Sequence, residues 1–207
     1  MSLSNYGELK TSVSTLLNRD DLAAVVPDFV KILEANVNRD VKFRNRKMEA
    51  TATLSFTGNE AALPSDFIEA RAVVFNSSPH IRLEFLTLSA FQDTYTTTNA
   101  ANSVHYTITG DKLLVGPYPS TTTVTLTYYQ KLPTLTNDSD TNWLLTGHPD
   151  VYLYGSCIAS APYLGEDSRL QTWFGLYDRA SGAVAGDDAR SRFSGSPIAP
   201  TVSVTVV

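Results

Sequence analysis

The stretch TNWLLTGHPDVYLYGSCIASAPYLGEDSRLQTWFGLYD, Thr141 to Asp178, carries both tryptophans, the single cysteine, one of three histidines and four of ten tyrosines. Such a concentration reads either as a reactive centre or as helices whose apolar faces need partners. The spacing favours helices. Pro149 suits the first turn of a helix running from about Asp150, where its missing N–H would have no partner anyway. Pro162 is expected to end or kink that helix. A last helix is expected to begin near Asp167, with Leu170, Trp173, Phe174, Tyr177 and Val184 on one stripe. It runs into the small-residue stretch ASGAVAGDDA, whose Gly182–Gly186 spacing marks close helix packing or a fraying end.

Cys157 is the test of the reactive reading. A nucleophile would need His148 as base and Asp150 as orienter, but His148 lies before a proline at the helix start and Cys157 two turns further on. Cys157 sits in YGSCIASA, with no Lys or Arg nearby to lower its pKa. A buried, structural thiol is expected.

Outward from this block, the N-terminal region is also helical. Asn5 precedes Glu8 by three residues, a capping-box spacing with Asn in place of Ser or Thr. Tyr6, Leu9, Val13, Leu16 and Leu17 share one face. NRDD interrupts the pattern. Leu22, Val25, Val26, Phe29, Val30, Leu33 and Val37 form a second stripe, with Pro27 near the first helical position. The two read as an αα-hairpin.

Between the helical blocks, from about Met48 to Lys131, the period changes to two. MEATATLSF, FIEARAVVF, IRLEFLT, VHYTIT, KLLVG and TVTLTYYQKL are strand-like runs. TGNE, NSSPH, TTTNAANS, TGD and PYPSTTT are turn clusters. TGDK predicts a tight hairpin, and LSAFQDTY a short helix. One mixed or antiparallel sheet of five or six strands is expected.

The fold class that follows is α+β, with helical blocks on either side of a β-rich region and an extended tail.

A chain of 207 residues suits one domain with a segregated subdomain and buries a core without metals or disulfides. With 43% hydrophobic and 18% charged residues, most of it should fold. The mild, Thr- and Ser-rich surface suits contact with other proteins. The formal net charge of -5 gives no overall attraction to nucleic acid. One cysteine excludes a disulfide framework. MSLSNYGELK has no signal-peptide pattern and no apolar run approaches a membrane span, so a soluble, intracellularly made protein is expected.

Other chemistry is sparse. His80, His105 and His148 lie far apart in the sequence, without HxH or HxxxH spacing, and no metal or cofactor is expected. DSDTN, Asp138 to Asn142, imitates the start of a calcium loop, but Trp143 stands where Gly belongs and Pro149 where a bidentate Glu belongs. A solvated Asx-type loop is expected instead. Nucleotide-binding glycine motifs are absent. The run RDVKFRNRK holds Arg39, Lys42, Arg44, Arg46 and Lys47 against one acidic residue. Its plain reading is the solvated C-terminal end of a helix; the other is a charge facing DNA or an interface.

An ordered series of motifs now points further: YGELKTSVSTLLNRDDL, VPDFVKILEANVNRDVKFR, ALPSDFIEAR, HYTITGDKLLVGPYP, LTYYQKLPTLT and the opening block. In this order and spacing, over residues 5 to about 180, the chain resembles the head-to-tail adaptor (connector) proteins of tailed bacteriophages, especially short-tailed ones. The resemblance implies a helical bundle with an inserted β-rich subdomain and an extended C-terminal arm: an N-terminal helical hairpin over 1–47, the β-rich insertion over 48–135, C-terminal bundle helices over 136–192 and the arm over 193–207. It implies a structural virion protein without enzymatic activity. It implies a ring, dodecameric in relatives, beneath the portal, joining the DNA-filled head to the tail and extending the DNA channel. Implied partners are the portal protein, neighbouring adaptor subunits and a tail or nozzle protein, with transient contact to genomic DNA and none to membrane. Assembly would take place in the host cytoplasm.

On this view Trp143, Tyr152, Tyr154, Trp173, Phe174 and Tyr177 serve bundle or subunit packing. The arm, through Ile198, Thr201, Val202, Ser203, Val204, Thr205 and Val206, binds a portal subunit or a neighbour, its alternation suited to a partner's sheet edge. Two alternatives come from the residues alone. One is a carbohydrate- or protein-binding module, from the YTTTN and YPSTTT loops. The other is a thiol hydrolase using Cys157.

Overall fold

The computed structural model describes residues 3–95, 103–117, 123–165 and 168–193. The protein is α+β, with six helices and two sheets among the described residues. It divides into two units, Met1–Lys47 with Leu132–Val207, and Met48–Lys131.

The first unit begins with α1 (Tyr6–Leu17). Its first four N–H groups are all satisfied, the first three having no partner inside the helix. Tyr6 and Gly7 donate to the carbonyls of Asp140 and Asp138, both at 2.9 Å, and Leu9 makes the first helical bond, to the Asn5 carbonyl at 3.0 Å. Glu8 donates to Asn5 Oδ1 at 2.9 Å, so Asn5 caps the helix as read, while the Glu8 carboxylate takes the Ser4 N–H at 2.8 Å, one residue before the cap. Asn18 ends the helix in the left-handed region at φ 56, a conformation Asn tolerates better than most residues.

The second helix, α2 (Val26–Arg39), has Pro27 in its first turn and buries Val26, Phe29, Val30, Leu33, Glu34 and Val37. The chain re-enters this unit at Leu132. A short α4 (Trp143–Gly147) is capped by the Asn142 side chain, which accepts from Leu145 N–H. α5 (Pro149–Leu164) then packs against α1, α2 and α6 (Leu170–Phe193).

Small residues allow that packing. A Cβ at Gly155 would strike the Leu33 side chain of α2 and stand 3.0 Å from Tyr177 of α6. Two sequence expectations shift here. α5 continues two residues past Pro162 and ends at Gly165, at φ 79; the missing N–H falls in a last turn with little helix left to break. α6 begins at Leu170 rather than near Asp167, which lies outside the described residues.

The second unit has two four-stranded sheets rather than one of five or six strands. The first joins β1 (Glu49–Ser55), β3 (Phe67–Phe75), β4 (Ile81–Arg82) and β8 (Thr123–Gln130) in the order β1-β8-β3-β4. The second joins β2 (Glu60–Ala62), β5 (Glu84–Phe85), β6 (His105–Thr109) and β7 (Lys112–Gly116) in the order β2-β7-β6-β5. Only β5–β6 is parallel.

Two features hid this division. β2 is three residues long and overlaps the turn cluster TGNE. IRLEFLT, read as one strand, changes sheets at the buried Leu83: Leu83 N–H bonds to Val73 in one sheet, and Glu84 N–H to Val104 beside the other. The hairpin at TGDK forms as read, with Gly110 at φ 61 between Thr109 and Lys112. The short helix α3 (Leu88–Thr94) also forms. Both sheets contribute to one apolar core, which includes Leu54, Val73, Phe75, Val124 and Leu126 from one and Leu113 and Val115 from the other.

Candidate functional site

The residues singled out in the sequence do not converge on one reactive centre. Cys157 is fully buried in α5, and Ser160 Oγ donates to its carbonyl at 2.7 Å. His148 faces another way, with Nε2 3.5 Å from Asp187 Oδ2. It lines a cleft of about 230 Å³ with Asn45, Arg46, Lys47, Trp143 and Val184. Among the described residues, no group of three or more His, Cys, Asp or Glu side chains could hold a metal ion. Nor, among the described residues, is any helix long and apolar enough to cross a membrane.

The aromatic residues take different stations. Tyr152 is completely buried and Trp173 nearly so. Trp143, Tyr154 and Tyr177 are half-buried; burial pushes the Tyr177 hydroxyl up to about 12, and Lys47 Nζ lies over the Trp143 ring at 5.9 Å. Phe174 is 44% exposed. It lines an open apolar groove with Ile158, Ala161, Pro162 and Leu170, where α5 ends and α6 begins. Tyr163 nearby is 62% exposed, its ring edge-on to Phe29 with centroids 5.9 Å apart.

Tyr152 belongs to a buried polar chain that the sequence did not disclose. Asn142 Nδ2 donates to the Tyr152 hydroxyl at 2.7 Å and to the Pro133 carbonyl at 2.8 Å. The Tyr152 hydroxyl donates to Glu34 Oε1 at 3.0 Å. The same oxygen accepts from Leu135 N–H at 3.2 Å. Asn38 Oδ1 accepts from Leu132 N–H at 2.8 Å. These bonds bind the returning segment, 132–142, to α2 and α5. Burial raises the Glu34 carboxyl, while Leu135 N–H and the Tyr152 hydroxyl oppose the shift. Burial also raises the Tyr152 hydroxyl, and Glu34 adds to it. The available signal was Glu34, an acidic residue adjoining the apolar stripe of α2.

The loop 136–140 is organised by Asp140, whose Oδ2 accepts from the N–H groups of Thr136 and Asn137 and from the Thr136 hydroxyl. Those bonds, the Asn137 N–H first, pull its carboxyl down to about 2. The Asx-type loop read from DSDTN is therefore present, and its carbonyls cap α1.

The basic run is divided. Arg39 and Arg44 turn back on α2: Arg39 Nε donates to Ala35 O at 3.1 Å, and Arg44 Nη2 to Asn38 O at 2.6 Å. Arg44 Nε and Nη1 are buried without hydrogen-bond partners. Arg39, Lys42, Arg46 and Lys47 are exposed, with Arg46 N–H donating to Asp188 Oδ1 at 2.7 Å.

In the second unit the outer face of the first sheet is rich in hydroxyls. Thr51 faces Thr127, Thr53 faces Thr125 and Ser55 faces Thr123 across the β1–β8 ladder. Arg71 Nη1 donates to the Tyr129 hydroxyl at 2.7 Å beside them. The YTTTN and YPSTTT loops lie largely outside the described residues, as do Ile198 and Thr201 to Val206.

In a comparison with known families, a family model described as SU10 adaptor protein matches residues 4–201, taking in residues of both units. No curated protein matches the chain.

Proposed function

The chain belongs to the SU10 adaptor protein family, the phage head-tail adaptors, and from that premise we propose that copies of it form a ring beneath the portal. In this reading the ring joins the DNA-filled head to the tail and extends the DNA channel. The portal protein lies on one side, a tail or nozzle protein on the other, and neighbouring copies alongside. The chain works as a structural part of the virion, assembled in the host cytoplasm, and catalyses no reaction.

The family match across residues 4–201 carries the proposal. The apolar groove bearing Phe174 supports it, since an exposed aromatic beside Ile158, Pro162 and Leu170 is the kind of anchor that interface centres use. Trp143, Tyr154 and Tyr177, half-buried in the isolated chain, are further candidates for subunit packing. The net charge of -5 suits a conduit, because summed Lys and Arg contacts to phosphate would hold the DNA in a salt-dependent grip. In this reading the exposed Arg39, Lys42, Arg46 and Lys47 of the basic run meet DNA or a neighbour. The segment from Ile198 to Val206 serves as the arm that engages a portal subunit or an adjacent adaptor.

Light scattering on the chain alone and after mixing with its cognate portal tests this. The expected outcome is a shift to one large assembly carrying many copies. An unchanged mass at every mixing ratio would overturn the reading.

A further inference from the structure

The strand β1 is an edge of unusual openness. It pairs with β8 over seven consecutive positions, Glu49↔Tyr129 to Ser55↔Thr123, without a register shift, whereas β3 is bulged twice. Among the described residues it stands at the end of its sheet, with no strand on its other side. The remaining edges are slight: β2 has three residues, and β4 and β5 two each. Natural edges are blunted by charge, proline, bulges or shortness, because a long regular edge is a template for another strand. From Ala50 to Ser55 none of these devices is present.

The side chains specify what would fit. Ala50 and Ala52 point with Leu54 toward the sheet core but stay only half-buried, while Thr51, Thr53 and Ser55 are exposed. An added strand must therefore alternate, apolar toward the alanines and hydroxyl toward the threonines. Thr201-Val202-Ser203-Val204-Thr205-Val206-Val207 alternates in this way. Position for position it repeats the pattern of Thr123-Val124-Thr125-Leu126-Thr127-Tyr128-Tyr129 in β8, the strand that β1 already accepts. Both stretches match β1 in length. Pro197 and Pro200 stand just upstream, where the missing N–H groups would bar earlier pairing.

We propose that Thr201–Val207 of one copy adds as a strand to the free edge of β1 in a neighbouring copy. Val202, Val204 and Val206 fill the space beside Ala50 and Ala52, and Thr201, Ser203 and Thr205 extend the hydroxyl rows. The inference rests on the ring reading above, because it places the two strands in adjacent copies.

Hydrogen exchange of the Glu49–Ser55 amides tests it, using the full chain and the S203P/V204P variant, each alone at low concentration and each assembled on the portal. The two substitutions lie outside every described element. One of the two lost N–H groups must face β1 in either register. In the wild-type assembly, alternate β1 amides should exchange at least about tenfold more slowly than in the variant assembly. The two chains should exchange alike when dilute and alone. Equal exchange in two well-formed assemblies would overturn the strand addition and leave the ring reading standing. Slow β1 exchange in the dilute wild type alone would place the segment on its own chain and overturn the placement in a neighbour. If neither chain assembles, the ring reading itself fails, and this inference with it.

Discussion

The two units solve the same problem with different materials. The β-rich unit is held by an apolar core, with Val73, Phe75, Leu113, Val115, Val124 and Leu126 at or near zero exposure, and sets the hydroxyl rows of its β1–β8 ladder on the outer face. The helical unit buries a line of polar groups through its centre, from Asn142 through Tyr152 to Glu34. An apolar core tolerates exchange of volumes within limits. A buried polar chain tolerates little, because each member that loses its partner leaves a desolvated group behind. The helical unit joins two segments distant in sequence, and directional bonds give those segments one register where apolar contact alone would accept several.

The largest effects should come from volume. Phe75→Ala should lower the stability of the β-rich unit by about 3–5 kcal/mol, read as faster exchange of β3 and β8 amides. Gly155→Val should damage the helical unit on a similar scale, since its side chain meets Leu33 in a crossing with no free volume. Denaturant melting followed by tryptophan fluorescence reports this unit, because both tryptophans lie in it.

The polar chain comes next. Tyr152→Phe leaves Glu34 Oε1 and Asn142 Nδ2 each one partner short and should cost about 1–3 kcal/mol. The same isosteric loss at Tyr129, whose hydroxyl is bonded by Arg71, a side chain 39% exposed, should cost less, so the pair of variants measures the contrast between the units directly.

The pH dependence sharpens the comparison further. Glu34 has a folded pKa raised above its ordinary 4.5. Its contribution is therefore fully present below that value and is lost as pH rises through the raised one. Glu34→Gln, which keeps the accepting oxygen, should flatten that slope. Asp140 works in the opposite sense. Its pKa falls from 3.8 to about 2, so its contribution is present above 3.8 and is lost as pH falls toward 2. Asp140→Asn should remove that acid-side loss. The smallest effect is expected from Thr53→Ala on the exposed face of β1, within about 0.5 kcal/mol in the isolated chain.

The contrast also explains what could be read from the sequence. Local signals were legible where one residue decides a local geometry: Asn5 and Pro27 at helix starts, the turn at Gly110, the apolar stripes of α1 and α2. The two-sheet division was not, because strands of two or three residues carry no period, and the change of sheet at Leu83 depends on which strand lies beside each half of IRLEFLT. Glu34, Asn38 and Asn142 escaped for a related reason. Their partners lie far away in sequence, and nothing local marks a polar residue as bonded rather than solvated. Phe174 shared an expected stripe with Trp173, yet α6 turns the two apart, leaving Phe174 at the groove.

Assembly on the portal is tested most directly by native mass spectrometry of the portal mixed with an excess of the chain. One bound copy per portal subunit, with the increment reduced when the groove carries Phe174→Asp, is the predicted result. A portal mass unchanged by any excess of the chain would contradict it.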